Sequence, residues 1–245
     1  MTLTTLRATF ARVLRELRRD RRTLALLLGV PSMLLILVRY SFDSRPFVFQ
    51  RTGLPLIGVF PLVSMFLVAS IAMLRERRSG TLERLMASPA TKLGLLLGYA
   101  AAFALVAVVQ ASLTLGVGVG LLGLDVAGPL WLAIVVAIAN AILGMSMGLS
   151  LSAFAKSEFQ AIQFMPAFVL PQFLLCGLIA ERSGMARPLE IISNLLPLTY
   201  AYDALRAVAD HPGVSWGVVI DLGITIGMTV LALGCGAATL RRRTT

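Results

Sequence analysis

The sequence predicts an all-α membrane protein that crosses the bilayer six times. Hydrophobic residues make up 58% of the 245-residue chain and charged residues only 14%. A soluble domain is nearer about 45–50% apolar and about 25% charged. The apolar residues are also gathered into long runs rather than alternating as short strands. That favours helical spans over a membrane β-barrel. Disorder is excluded by the same composition, because it needs low hydrophobicity and high charge. An ordinary soluble enzyme of this size would have no way to hide so much apolar surface.

A helix needs about 20 apolar residues to cross a hydrocarbon core of about 30 Å. Six runs qualify: 23–40, 54–74, 93–115, 130–154, 159–180 and 216–240. Pro31 lies inside the first, and glycines 116, 118, 120 and 123 extend the third. Both residue types are tolerated where neighbouring helices satisfy the freed backbone groups.

Ahead of the first span, residues 3–22 read as an amphipathic helix. Leu3, Leu6, Phe10, Val13, Leu14 and Leu17 share one arc at helical pitch, with most arginines off it. Such a helix is expected to lie on the inner membrane surface, apolar face in lipid and arginines at anionic headgroups. It is not expected to be a cleaved signal peptide, because its basic stretch is too long and no small-residue cleavage site follows the apolar run before Tyr40. The domain reading is therefore an interfacial helix over 1–22 followed by one six-span domain over 23–245.

Orientation follows from the cations. Sixteen of the 22 Lys and Arg residues fall on one side: seven arginines within 7–22, Arg75, Arg77, Arg78, Arg84, Lys92, Lys156 and Arg241–Arg243. The positive-inside rule puts that side in the cytoplasm of a bacterial-type plasma membrane, together with both termini, which requires an even number of spans. The net charge of +10 is thus a membrane-orienting charge and not a nucleic-acid footprint.

Catalytic and metal constellations are missing from the sequence. With one histidine, His211, a zinc-binding histidine pair cannot form. Gly118-Val119-Gly120-Leu121-Leu122-Gly123 matches the dinucleotide fingerprint literally, but it sits in a span without a βαβ frame. Close helix packing is the better reading of those glycines. Lys156-Ser157 lacks the glycine of a phosphate-binding loop, since Ala155 precedes it. Neither a metal site nor a bound cofactor is expected. Asp221 is the one acid inside a predicted span and lies near its outer end. Gln110, Asn140, Gln160, Gln163 and Gln172 are neutral. Ion-coupled carriers place ionisable groups within their spans, so energy for transport would have to enter from another chain.

The informative segment is the loop over 75–92. In Arg75-Glu76-Arg77-Arg78-Ser79-Gly80-Thr81-Leu82-Glu83-Arg84-Leu85-Met86-Ala87-Ser88-Pro89, a short helix is expected to start at Gly80 or Thr81 and stop at Ser88-Pro89. Leu82, Leu85 and Met86 share one face of it. An apolar stub framed by charges can rest on a membrane or insert into a groove on a partner.

This run, closed by Ser-Pro, resembles the coupling loop of type-2 ABC exporter permeases, closest to their drug- and antibiotic-resistance branch. The segment Asn194-Leu195-Leu196-Pro197-Leu198-Thr199-Tyr200-Ala201-Tyr202-Asp203-Ala204-Leu205-Arg206 is similar to the family's pattern between spans five and six. The resemblance implies short outer helices dipping toward the membrane over 181–213. It also implies two permease subunits, identical or closely homologous, and two ATPase subunits that carry ATP and Mg. Glu76, Gly80, Thr81, Leu82, Glu83 and Leu85 become the expected contacts to the ATPase. Spans one and five are expected at the centre of the pair. The path would then be lined from span five by Gln160, Gln163, Phe164, Phe168 and Gln172, with Asn140 from span four. The expected cargo is a hydrophobic or amphipathic small molecule such as a drug or antibiotic. Export of a lipid or glycan-lipid carrier is the alternative within transport. A membrane-embedded enzyme and a non-transporting scaffold are the readings outside it.

Overall fold

A computed structural model describes residues 2–80 and 91–239. Among these residues the chain is all helical, in nine α-helices joined by short links. Helix α1 covers Thr2–Arg19, α2 Arg21–Ser41, α3 Pro46–Arg78, α4 Lys92–Gly120 and α5 Leu130–Leu151. They are followed by α6 over Glu158–Leu175, α7 over Arg187–Leu195, α8 over Pro197–Asp210 and α9 over Trp216–Thr239. Five helices (α2, α3, α4, α5 and α9) are long and apolar enough to cross a membrane. The fifth expected span is the exception. It becomes the 18-residue α6, which is diluted by three glutamines and two prolines and needs help to complete a crossing. The protein is a multi-pass membrane protein, and a count of six fits this arrangement.

The centre is the pair α3 and α5. Gly144 and Gly148, one turn apart on α5, lie against the α3 backbone. A Cβ at Gly144 would sit 2.1 Å from the Leu62 carbonyl oxygen, and one at Gly148 2.4 Å from that of Phe66. Without a hydrophobic force between helices in lipid, such close backbone approach is what makes helix association favourable. The glycines singled out by the sequence do less. Of Gly118, Gly120 and Gly123, Gly118 alone meets side chains (Leu35, Leu124 and Ile57), while nothing approaches the other two. Close packing holds at Gly118 and not at Gly120 or Gly123.

Helices α2 and α9 sit at the periphery. Helix α2 buries a single stripe, Leu27, Pro31 and Leu35 with Ser32, and turns Leu26, Met33 and Leu37 outward. In a bilayer such faces meet lipid or another helix. Helix α1 forms over nearly the predicted residues. The end of its apolar face packs on protein, Val13 and Leu17 being buried in one cluster with Met73, Leu95, Tyr99 and Phe103, while Leu3 at its start is exposed. Gly98 on α4 permits this, because a Cβ there would lie 2.5 Å from Thr9 Cβ and 2.9 Å from the Leu6 carbonyl oxygen. Asp20 then caps α2, accepting from the Thr23 hydroxyl at 2.6 Å and its amide at 3.1 Å. Those two bonds hold its carboxyl below the usual aspartate range.

Helix α6 starts beside the end of α3 and stops early. Cys176, just past it, packs with Val59 and Leu62 of α3, leaving the first third of α3 beyond its reach. The chain then turns at Gly177, whose φ of +103° favours glycine. Helix α7 brings it back to α6, where the Ser193 hydroxyl donates to the Leu175 carbonyl at 2.8 Å. Helix α8 leaves again, Leu205 packing against Gly58 and the Val208 carbonyl accepting from the Gly128 amide at 2.9 Å. The short helices expected between spans five and six are therefore present, and their hairpin occupies the space α6 does not fill.

Candidate coupling site at the basic end of the bundle

The last turn of α3 carries Arg75, Glu76, Arg77 and Arg78, cations placed favourably at a helix C-terminus. Neighbours on a helix point about 100° apart, and here that splits two charges between different helices. Glu76 turns inward and is 8% exposed. Its Oε1 pairs with Arg12 Nη1 of α1 at 2.7 Å and accepts from the Tyr99 hydroxyl of α4 at 2.5 Å. The Arg12 guanidinium also lies 5.9 Å from the centre of the Tyr99 ring. Arg75 turns the other way. It holds Glu158, the first residue of α6, through two parallel bonds: Nε to Oε1 at 2.8 Å and Nη2 to Oε2 at 3.0 Å. The fork of arginine fits a carboxylate in this way. The base of the loop is thus joined to α1, α4 and α6 by two adjacent residues.

The expected partner contacts are distributed as follows. Glu76 is engaged inside the chain. Gly80 has φ of +69° and turns the chain out of α3 just past its cap at Ser79. Thr81, Leu82, Glu83 and Leu85, with the helix expected around them, lie outside the described residues.

The expected path residues do not converge. Gln160 is in the first turn of α6 and its Oε1 accepts from the Lys156 amide at 2.7 Å, while the Ser157 hydroxyl accepts from the Gln160 amide at 3.2 Å. That is helix capping in the manner of a capping box. Gln163 is exposed, and Phe164 packs beside Leu74 and Ala161. Phe168 faces outward. Gln172 is buried and donates to the Phe168 carbonyl at 2.9 Å. Asn140, fully buried on α5, donates to the Gly58 carbonyl at 2.9 Å, so it stitches α5 to α3.

Sequence reading missed a groove of about 570 Å³ between α2, α3 and α6. Met165, Val169 and Phe173 form its wall on α6, facing Val59, Val63 and Leu67 of α3. The signal was present as an apolar i, i+4, i+8 stripe, which the polar residues of α6 overshadowed. Its size lies within the range of pockets for drug-sized ligands.

At the opposite end, Arg51 at the start of α3 pairs with Glu181 at 2.6 Å. Arg182 reaches Asp203 of α8 at 2.5 Å and donates to Asn194 at 3.2 Å. Burial pushes the Asp203 carboxyl above its ordinary range, although Arg182 opposes this.

Similarity to known proteins agrees with this architecture. A stretch of 153 residues is 26% identical to the probable multidrug ABC transporter permease YbhR of Escherichia coli K12, covering 62% of this chain and 42% of that protein. Another, of 178 residues, is 23% identical to the probable multidrug ABC transporter permease YbhS of the same organism, covering 72% and 47%. ABC transporter G family member 20 of Dictyostelium discoideum is 24% identical over 141 residues, 58% of this chain and 19% of that protein. The matched stretches span less than half the length of these relatives. The family model for ABC-2 type transporters matches residues 4–209, from α1 through α8, and the chain belongs to that family.

Proposed function

We propose that this chain is the permease subunit of an ATP-driven exporter that moves a hydrophobic or amphipathic small molecule, such as a drug, out of the cytoplasm. The observation that carries the reading is the double fastening at the base of the 75–92 loop. A loop tied to α6 by Arg75–Glu158 and to α1 and α4 by Glu76 is built to move several helices together. Relatives named as multidrug ABC transporter permeases support the cargo class.

In this mechanism cytoplasmic ATPase subunits bind ATP and Mg and close on each other. The loop segment with Leu82, Glu83 and Leu85 docks on them, and two permease copies work as a pair. Closure pulls the loop, the bidentate pair passes the motion to α6, and the helices facing the groove separate toward the outside. ATP acts only through differential affinity, because binding both states equally shifts nothing. The basic end then faces the cytoplasm.

The test is direct. Purified in detergent, the chain is expected to bring down an ABC ATPase, and the complex to drive ATP-dependent efflux. Leu82→Asp or Glu83→Arg is expected to abolish efflux while membrane insertion stays normal. Full efflux with either substitution overturns the assignment.

A further inference from the structure

Helix α6 is held at both ends by side chains of other elements. Its first residue, Glu158, takes the two parallel bonds of Arg75. Its last carbonyl, that of Leu175, has no acceptor role within the helix, as holds for the final carbonyls of any helix. It accepts instead from the Ser193 hydroxyl of α7 at 2.8 Å. Between these attachments α6 runs unbroken through Pro166 and Pro171.

The two arms of the outer hairpin are anchored very differently. Helix α8 buries Leu205 and Val208 with Leu54 of α3 and Leu132 of α5. Helix α7 buries Ser193 alone and leaves Leu189, Ile191, Ile192 and Leu195 exposed. Its one enclosed side chain is therefore polar and engaged with the end of α6. Thr199 of α8 closes the corner: its hydroxyl donates to the Ser193 carbonyl at 2.7 Å and lies 3.2 Å from the Ser193 hydroxyl. The other polar ties of α7 are exposed, with Arg182 donating to the Asn194 side chain at 3.2 Å and the Tyr200 hydroxyl to its carbonyl at 2.6 Å. Separating Ser193 from Leu175 would leave buried polar groups unpaired, which costs more than the net contribution of the bond itself. Displacement of α6 along its axis thus takes α7 with it, while α8 stays packed on α3 and α5. We infer that Ser193 is a positioning residue for export, coupling α6 to α7 so that a pull on Glu158 at the basic end displaces α7 at the outer face. The inference rests on the exporter reading, in which the loop drives α6 through Arg75.

The test uses the chain together with its ATPase in proteoliposomes. Exposed Cys235 is removed by Cys235→Ser, and Glu190→Cys on the exposed side of α7 carries a spin label, while buried Cys176 stays unlabelled. Trapping with ATP, Mg and vanadate is expected to change the mobility of the label. Ser193→Ala is expected to abolish that change and to lower efflux per ATP hydrolysed about fivefold, the scale of one net hydrogen bond, with hydrolysis kept. Thr199→Val removes a hydroxyl from the same corner at similar volume but spares the Leu175 bond, so the label response and efflux are expected to persist. Full label response and efflux in Ser193→Ala overturn the inference. Equal losses in Ser193→Ala and Thr199→Val overturn it as well, because the hydroxyls would then only hold the corner together. Active efflux with an unresponsive label in the otherwise unmodified complex overturns this inference alone, whereas a complex without ATP-driven efflux overturns the exporter reading and the inference with it.

Discussion

At the basic end of α3, a carboxylate with a tenth of its side chain exposed shares Arg12 and Tyr99 with two other helices. At the opposite end, Arg51 meets Glu181 with 38% and 64% of the side chains exposed. The first arrangement is desolvated and joins helices; the second is bathed in solvent and joins a helix to a connector. Charges removed from water cost several kcal/mol unless they are paired, so a buried pair punishes separation. An exposed pair contributes about 0–1 kcal/mol and separates easily. One end of α3 is thus held to α1 and α4 by a desolvated ionic cluster, whereas the other is held to α8 by apolar packing of Leu54 and Ile57 with Leu205, its ion pair adding little.

The largest effect is expected of Glu76→Ala. It strands Arg12 beside Tyr99, and a loss of roughly 3 kcal/mol is expected, at the lower limit for a broken buried pair because Arg12 keeps some water. Thermal unfolding in detergent measures it; an unchanged midpoint would show that α3 is not held there. A smaller stability effect, but a functional one, is expected at Arg75. Arg75→Glu should cost about 1 kcal/mol or less, since the pair is half exposed, yet uncouple ATP hydrolysis from efflux. Adding Glu158→Arg should restore coupling, and a swapped pair that stays uncoupled removes the strut from the mechanism. Least of all should follow from Arg51→Ala. Stability is expected to change by no more than about 1 kcal/mol, and efflux to continue. Inactivation by that substitution would mean the two ends are alike.

Much of this was legible in the sequence because lipid is an unforgiving solvent. Uninterrupted apolar runs had to be helices, and the helix boundaries at 21–41, 92–120 and 130–151 differ from the expected spans by a few residues. The amphipathic N-terminal helix was equally plain from its 3.6-residue stripe. What covers that stripe was not: Gly98, far from Thr9 in sequence but adjacent to it in space, brings α4 under α1. For the candidate site, the sequence located the loop and its charges. The resemblance counted Glu76 among the partner contacts, and the structure buries it beside Arg12, because helical phase relative to α1 and α4 is a property of the assembled bundle. Gln160, Gln172 and Asn140 were placed on the path by the family resemblance, and in the structure each hydrogen-bonds a backbone group nearby.

Composition and charge placement were enough to read a multi-pass membrane protein, and the loop motif enough to point to the ABC-2 transporter family. Those properties depend on transfer from water to lipid and on local residue order, both of which are written along the chain. Which glycines bring α3 and α5 into contact, which way Arg75 and Glu76 face, and the early stop of α6 beside an apolar groove emerge from the assembled helices. Each of these depends on the rotation and depth of one helix against another, set by close backbone contacts between residues about 80 positions apart in sequence.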